Sequence, residues 1–519
     1  MNPIEGLIYG LGMSLTPEIL IAAVVAALVG TLIGVLPGLG PVAGASLVLP
    51  LTFVYEPAIG IILIAGIYIG AQYGGSTTSI LLNIPGEASA IPATFDGYPM
   101  TKKGRAGAAL VIVAVGAFIA STIALALLLL SAPFVTGLAI SFGPPEYFAL
   151  TAGGLFLLAR ISGARAGAGI GVSLLPMLIG LAMATVGTEP TQNVQRFTFG
   201  SLDLTLGLQL APVAVGLYGI SEIMIMLEER IRGPKVPKVR IKELVPSRAE
   251  WRESLAPWGR GSILGFVFGL LPIPSATMSA FASYRMEQAI SKHPERFGKG
   301  AVPGLAGPEA ANAAAAVGSM VPVLMLGLPF SATLALAVSA MTVQGIQPGP
   351  LLMEQHPDIF WTVIAALLIA NVALLILNVP LAGVWVRVLQ TPRHILVPVI
   401  VILAMIGSYS LNGNMLDVYV MVAMGLVGYV MRKMGFGLAA LLVGLVLGPL
   451  IEKYFIQGML ISGGATSYFV STPVSAIVWG LVVFFTVFSG IQAIRGARKA
   501  RRDRAELSAT TARDHEPVA

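Results

Sequence analysis

Not one of the 519 residues is a cysteine, so disulfides, thiolate metal sites and thiol nucleophiles are excluded. Charge is nearly as scarce. Asp, Glu, Lys and Arg make up 11% of the chain, against roughly a quarter of an ordinary soluble protein, too few to cover a water-facing surface. The four histidines, His293, His356, His394 and His515, all lie away from the middle of apolar runs, which argues against a histidine proton relay. Neither H-E-x-x-H nor G-x-x-x-x-G-K-[ST] occurs, so nothing in the chain reads as a zinc hydrolase, a P-loop ATPase or another enzyme. The opening stretch, MNPIEGLIYGLGMSLTPEIL, has no Lys or Arg, so the first apolar run reads as a retained helix and not as a secretory signal.

What is present is apolar. Hydrophobic residues make up 56% and the mean hydropathy is +0.86. Runs of about 17–25 apolar residues recur, each long enough to cross a hydrocarbon core of roughly 30 Å as a helix. The expected fold class is therefore an all-α polytopic membrane protein. The net charge of +6 reads as topology and not as a nucleic-acid or other anion footprint, because the basic residues crowd into short loops that stay cytoplasmic. The main one runs from Arg230 to Arg252 through Arg232, Lys235, Lys238, Arg240, Lys242 and Arg248, with Pro234 and Pro237 breaking any helix. Lys102, Lys103 and Arg105, then Arg160 to Arg165, Lys292 to Lys299, Arg387 to Arg393, and Arg432 with Lys433 mark further inner loops. A basic stretch from Arg495 to Arg504 places the C-terminus inside and leaves the N-terminus periplasmic.

Tracing the chain between these anchors yields about 11 crossings plus two re-entrant hairpins. One hairpin covers 17–54, with LPGLGP (36–41) in its middle, and the other covers 259–285, with LPIPSA (271–276) in its middle. Crossings follow the first near 57–83, 106–133, 145–159, 167–188 and 206–228, and the second near 311–345, 359–385, 394–410, 416–431, 437–453 and 468–492. The two series match in order and oppose in direction. Gly34-Val-Leu-Pro37 resembles Gly269-Leu-Leu-Pro272, and Asn83-Ile-Pro-Gly86 resembles Gly327-Leu-Pro-Phe330. Such Gly/Pro clusters interrupting apolar runs describe two inverted-topology repeats with broken helices, as in many secondary transporters. The expected division is a first repeat at 1–228, a basic linker at 229–258, a second repeat at 259–467, an extra helix at 468–492 and a basic, disordered tail at 493–519.

Backbone broken at membrane depth persists only when it is buried in protein or lines a polar cavity. The stretch YGGSTTSILLNIPGEASAIPATFDGYPMTKKGRAG (73–107) is thus the expected working site. A half-helix ending in the membrane directs unpaired N–H groups and a positive dipole end at an anion, while freed carbonyls and hydroxyls hold a small cation. The first-half candidates are Gly38, Gly40, Gly74, Gly75, Ser76, Thr77, Thr78, Ser79, Asn83, Pro85 and Gly86. Those of the second half are Ser275, Thr277, Ser279, Asn312, Pro329, Ser331 and Thr333. Against them stands the packing role of small residues between membrane helices, which a lone Ser or Thr serves more often than a ligand. Glu87 and Glu309, beside the expected breaks, are the candidate ionisable groups. Asp96, in DGYP, reads as part of a turn.

GVLPGLGP (34–41), the 73–107 block, GPEAANAAAA (307–316), LGLPFSA (326–332) and GIQPGPLL (345–352) resemble the large membrane subunit of the tripartite tricarboxylate transporters, the TctA family, over roughly 15–490. The resemblance implies a bacterial inner-membrane symporter for a tricarboxylate such as citrate, or a dicarboxylate. It implies a small TctB-like membrane subunit, a periplasmic TctC-like solute-binding protein, no cofactor, and Na⁺ or H⁺ as coupling ion. Where the family tends to have Pro-Gly, Asn-Asn and Pro-Gly, this chain has Pro272-Ile273, Asn312-Ala313 and Pro329-Phe330, so the second-half site departs from the pattern. The alternative class is an ion or solute channel with a broken-helix pore.

Overall fold

Inside lipid a chain must satisfy its own backbone, and the helix does this within one segment. The computed structural model follows that rule over the residues it describes: 2–36, 40–162, 170–189, 193–228, 245–388 and 393–487. Gly38, residues 163–165 of the basic loop after α8, Arg230 to Lys242 of the main basic loop, and the 493–519 tail lie outside them. In chain order the helices are α1 (Pro3–Ser14), α2 (Pro17–Val35), α3 (Gly40–Thr52), α4 (Pro57–Leu82), α5 (Ile91–Lys102) and α6 (Ala106–Ile140). Next come α7 (Pro144–Phe148) and α8 (Gly154–Ser162), joined by a wider turn, α9 (Ile170–Ala184), and α10 (Leu210–Ala214) and α11 (Ser221–Glu228), joined likewise. Then follow α12 (Arg248–Gly269), α13 (Ser275–Ile290), α14 (Val302–Gly318), α15 (Met320–Leu326), α16 (Ala332–Val343), α17 (Leu352–Gln355) and α18 (Pro357–Val388). The series closes with α19 (Arg393–Asn412), α20 (Met415–Lys433), α21 (Leu438–Ile461) and α22 (Pro473–Val487). Among the described residues, the only strands are a two-residue antiparallel pair, Gly187–Thr188 with Gln195–Arg196.

Eight of these spans are long and apolar enough to cross a membrane. Their outer faces carry Leu130, Ile376, Tyr419, Leu426 and other large apolar side chains in the open, a belt that water would not tolerate. The chain is a multi-pass membrane protein.

Small residues set the central packing. Gly30 and Gly34 of α2 lie against the backbone of Ile67 and Ala71 in α4, and Gly70 and Gly74 of α4 lie against Ala27 and Thr31. Rising numbers face rising numbers, so α2 and α4 run parallel, and α3 returns between them with Gly44 on Ile33 and Thr52 on Gly60. The same order of directions recurs later. Gly261 meets Gly307, Gly265 meets Ala311 and Gly269 meets Gly318, so α12 and α14 are parallel, and α13 returns with Ser279 donating to the Ala311 carbonyl at 3.2 Å. Each pair fits only because no Cβ intervenes, since one at Gly34 or Gly265 would strike a carbonyl. The long helices then cross over: α6 packs on α12 and α14, and α18 packs on α2 and α4.

Five expectations are corrected. The run 73–82 is not broken but belongs to the continuous helix α4; its hydroxyls bond back to carbonyls three or four residues earlier, which keeps the turn closed. The interruption comes after it, at 83–87. The boundary at 258/259 falls inside α12, which starts at Arg248 because Ser247 and Glu250 form a capping box. The crossing expected from 311 begins at Val302, and the C-terminal helix starts at Pro473 after a short 3₁₀ turn, Thr466–Val470. The fifth concerns Asp96, which sits in helix α5, fully buried, and not in a turn. Its Oδ1 accepts from the backbone of Gly300 and Ala301 at 2.7 Å each, and its Oδ2 accepts from the Tyr284 hydroxyl at 3.1 Å. The carboxylate thereby satisfies donors at the entry to α14, an N-terminal site that favours negative charge.

Asp96→Ala is expected to strand those donors and lower stability by about 3 kcal/mol, read as a lower denaturation midpoint in detergent. A change within about 0.5 kcal/mol, typical of an ordinary surface substitution, would show that the cap carries no weight.

Candidate functional site

Two helices stop in the same way. α4 closes on Asn83, whose backbone is left-handed (φ 60°), and α15 closes on Gly327, also left-handed (φ 71°). An apolar residue and a proline follow in each case, Ile84-Pro85 and Leu328-Pro329. The left-handed residue turns the chain off the helix axis, and the proline, lacking an N–H, cannot rejoin it. Extended backbone follows, at Glu87 (φ −152°, ψ 174°) and at Ser331 (φ −121°, ψ 138°), before α5 and α16 begin.

The first break folds back onto α4. Gly86 lies on Gly75, and the Ser89 hydroxyl lies 3.0 Å from Gln72 Oε1 and 2.5 Å from the Glu87 carboxylate. This brings the chain after the break to the level of Gln72, deep in the protein. α5 therefore starts with its N-terminus beside the middle of α4.

Across from it, α14 runs antiparallel to α4. The Ser76 hydroxyl donates to Glu309 Oε2, and Gln72 and Tyr73 face Glu309, Asn312 and Ala313 across a shared cavity. Farther along, the Tyr68 hydroxyl neighbours the side chains of Ser319, Ser331 and Gln72, and Glu87 lies near enough to act on it through its charge. Glu87 also lies near enough to Glu309 to act on it through its charge. One polar crossing thus gathers Tyr68, Gln72, Tyr73, Ser76, Glu87 and Ser89 from the first half with Glu309, Asn312, Ser319 and Ser331 from the second. The cavity has a volume of ≈ 20 Å³, room for about one water molecule, and α6 and α18 complete its wall with Ser121 and Asn371.

The other expected residues are distributed differently. Gly74 packs helices, and Thr77, Thr78 and Ser79 spend their hydroxyl protons on their own helix. Asn83 and Pro85 are exposed at the turn. Gly40 starts α3 with φ 59° and open space around it. Ser275 is buried at the start of α13, Thr277 is half-buried beside it, and Thr333 is buried in α16. Pro329 is buried, while Phe330 and Pro272 press together on Gly154 of α8, so the second hairpin tip and the second break share one wall. Tyr68, Gln72, Ser89, Ser121, Ser319 and Asn371 were not singled out from sequence. Ser121 and Asn371 did carry a signal, as polar residues in the interior of long apolar runs.

A second, larger cavity of ≈ 510 Å³ lies at the end of the molecule that carries the two-residue strand pair. Its wall includes Thr188, Arg196, Gln209, Gly327, Thr342, Gln347, Glu452 and Lys453. Arg196 forks onto Glu452 at 2.7 and 2.9 Å, pinning the strand pair to α21. Because Gly327 belongs to this wall, the cavity reaches from the open end to the second helix break.

Residues 20–443 match the model of the tripartite tricarboxylate transporter TctA family. A protein of Agrobacterium vitis, named as an uncharacterized 52.8 kDa protein in the TAR-I ttuC' 3' region, is 42% identical over 498 residues, 96% of this chain and 98% of its own length. A second from the same organism, in the TAR-II ttuC' 3' region, is 44% identical over 234 residues, 45% of this chain and 97% of its own. No solved structure matches.

The left-handed turn at Asn83 generates a paired test. Asn83→Gly is expected to leave the detergent denaturation midpoint near the parent value, whereas Asn83→Val should cost on the order of 1–2 kcal/mol. Equal behaviour of the two variants would remove the backbone argument.

Proposed function

Because the chain belongs to the tripartite tricarboxylate transporter TctA family, we propose that it is the large membrane subunit of a secondary carrier that imports a carboxylate on a cation gradient. The substrate is a tricarboxylate such as citrate, or a dicarboxylate. A periplasmic solute-binding protein delivers it and a small membrane subunit accompanies the chain in the bacterial inner membrane. The basic loops and the C-terminus face the cytoplasm and the N-terminus faces the periplasm. Membership of a transport family supports a transporter in preference to an enzyme.

The observation that carries this reading is the meeting of two interrupted, antiparallel helices at Ser76 and Glu309. In this reading the halves are inverted repeats: α2 to α11 corresponds to α12 to α21, hairpin to hairpin and break to break. The N-termini of α5 and α16, set inside the protein, provide unpaired N–H groups and a positive dipole end for a carboxylate. The ≈ 510 Å³ cavity is the outward vestibule from which the substrate reaches the second break. One half-helix region then moves against its surroundings to expose the site inward.

Importing an anion against an interior-negative potential costs about 2.3 kcal/mol per charge per 100 mV. A citrate trianion multiplies this threefold, so several cations must enter with it.

The test is uptake of labelled di- and tricarboxylates by cells bearing this chain and its two partner subunits. Saturable uptake that collapses when the cation gradient is dissipated is expected, and Ser76→Leu should reduce it by roughly tenfold or more while membrane insertion is unchanged. Non-saturating flux indifferent to the gradient would convert the carrier into a pore, and full uptake by Ser76→Leu would detach the crossing from transport.

A further inference from the structure

We propose that the ≈ 20 Å³ cavity at the crossing of α4 and α14 is a binding site for one small monovalent cation of the Na⁺ class, ligated by Glu309, Asn312 and Ser121. For its purpose, coupling, this rests on the carrier reading; for its chemistry it stands on the geometry alone.

Glu309 is 4% exposed, and while its Oε2 accepts from Ser76, its Oε1 has no partner among the described residues. Asn312 and Ser121 are each 1% exposed, and Asn312 Oδ1 and Ser121 Oγ are likewise unpartnered. All three side chains line one cavity. Buried polar atoms are nearly always paired, and three orphaned oxygens around one water-sized space point to a shared partner inside it. The Asn371 amide nitrogen, on the same wall, is committed to the Phe118 carbonyl at 3.1 Å and Thr122 Oγ1 at 3.2 Å, so only its oxygen remains to serve the cavity.

Charge selects the partner. The described ion pairs give Glu309 no Lys or Arg, and a carboxylate buried in a membrane protein requires compensation. An all-oxygen donor set excludes the softer transition metals, which favour nitrogen and sulfur, and no cluster of three His, Cys, Asp or Glu occurs among the described residues. Ca²⁺ takes six to eight oxygens, commonly from several carboxylates, whereas the cavity offers one. A single negative charge and space for about one water fit Na⁺.

The experiment uses the purified full-length chain in detergent, at constant ionic strength, with choline replaced stepwise by Na⁺ or K⁺ while the thermal unfolding midpoint is followed. A saturable rise with Na⁺, at an apparent affinity roughly tenfold or more above that for K⁺, is expected. Glu309→Gln and Asn312→Leu should each weaken the Na⁺ response by a similar factor. If either fails to fold, Ser121→Ala, whose hydroxyl has no hydrogen bond to lose, carries the same expectation. A parent midpoint indifferent to Na⁺, one that responds to pH alone, or variants that respond as the parent does would overturn the site and leave the cavity to a water or a proton. Since the readout is binding by the isolated chain, Na⁺-specific stabilisation without any carboxylate uptake by the assembled system would sink the carrier reading and spare the cation site. Gradient-driven uptake without that stabilisation would do the reverse.

Discussion

Hydrocarbon offers a peptide group nothing to bond with, so a helix can end inside a membrane only where other protein stands around the end. Everything central to this molecule follows from meeting that condition twice. α4 stops at Asn83 and α15 at Gly327; Asn83 is exposed, but the chain after it folds back onto α4 with Gly86 on Gly75, and residues 328–330 after Gly327 are buried. The enclosure depends on backbones that nearly touch, which the glycines of α2, α4 and α12 permit. Close packing is thus a precondition for the polar crossing and not a separate feature of the fold.

The crossing itself is sparsely charged. Glu309 is held by a serine from the opposite half, and the ion pairs of the molecule gather instead at its loop ends. Arg105 meets Glu250, Arg432 meets Glu222 and Lys433 meets Glu228, and Arg296 reaches Glu253 at 3.3 Å. The exposed pairs among them, Lys433 with Glu228 and Arg296 with Glu253, contribute about 0–1 kcal/mol each.

Much of the architecture was legible because apolar length and Gly/Pro punctuation are local signals. The resemblance of Asn83-Ile-Pro-Gly86 to Gly327-Leu-Pro-Phe330 located both helix ends, and the chain turns from α12 into α13 where LPIPSA stands. The hydroxyl-rich GGSTTS was misplaced by a few residues, since its composition looks like loop while its back-bonding keeps helix. Asp96 was misjudged for a different reason: DGYP has turn chemistry, but its donors come from Gly300 and Ala301, two hundred positions away, and no local pattern records them. The same holds for Tyr68 and Gln72, ordinary on their own helix and informative only once the helices are assembled.

The crossed arrangement of α6 and α18 has a bearing on biogenesis. α6 finds its seat on α12 and α14, and α18 finds its seat on α2 and α4, so neither half owns a finished interior. During synthesis the leading half must wait in the bilayer with Gly116 of α6 uncovered, since the side chain it accommodates, Trp258 of α12, has yet to leave the ribosome. The finished interior therefore requires both parts of the chain to be present together.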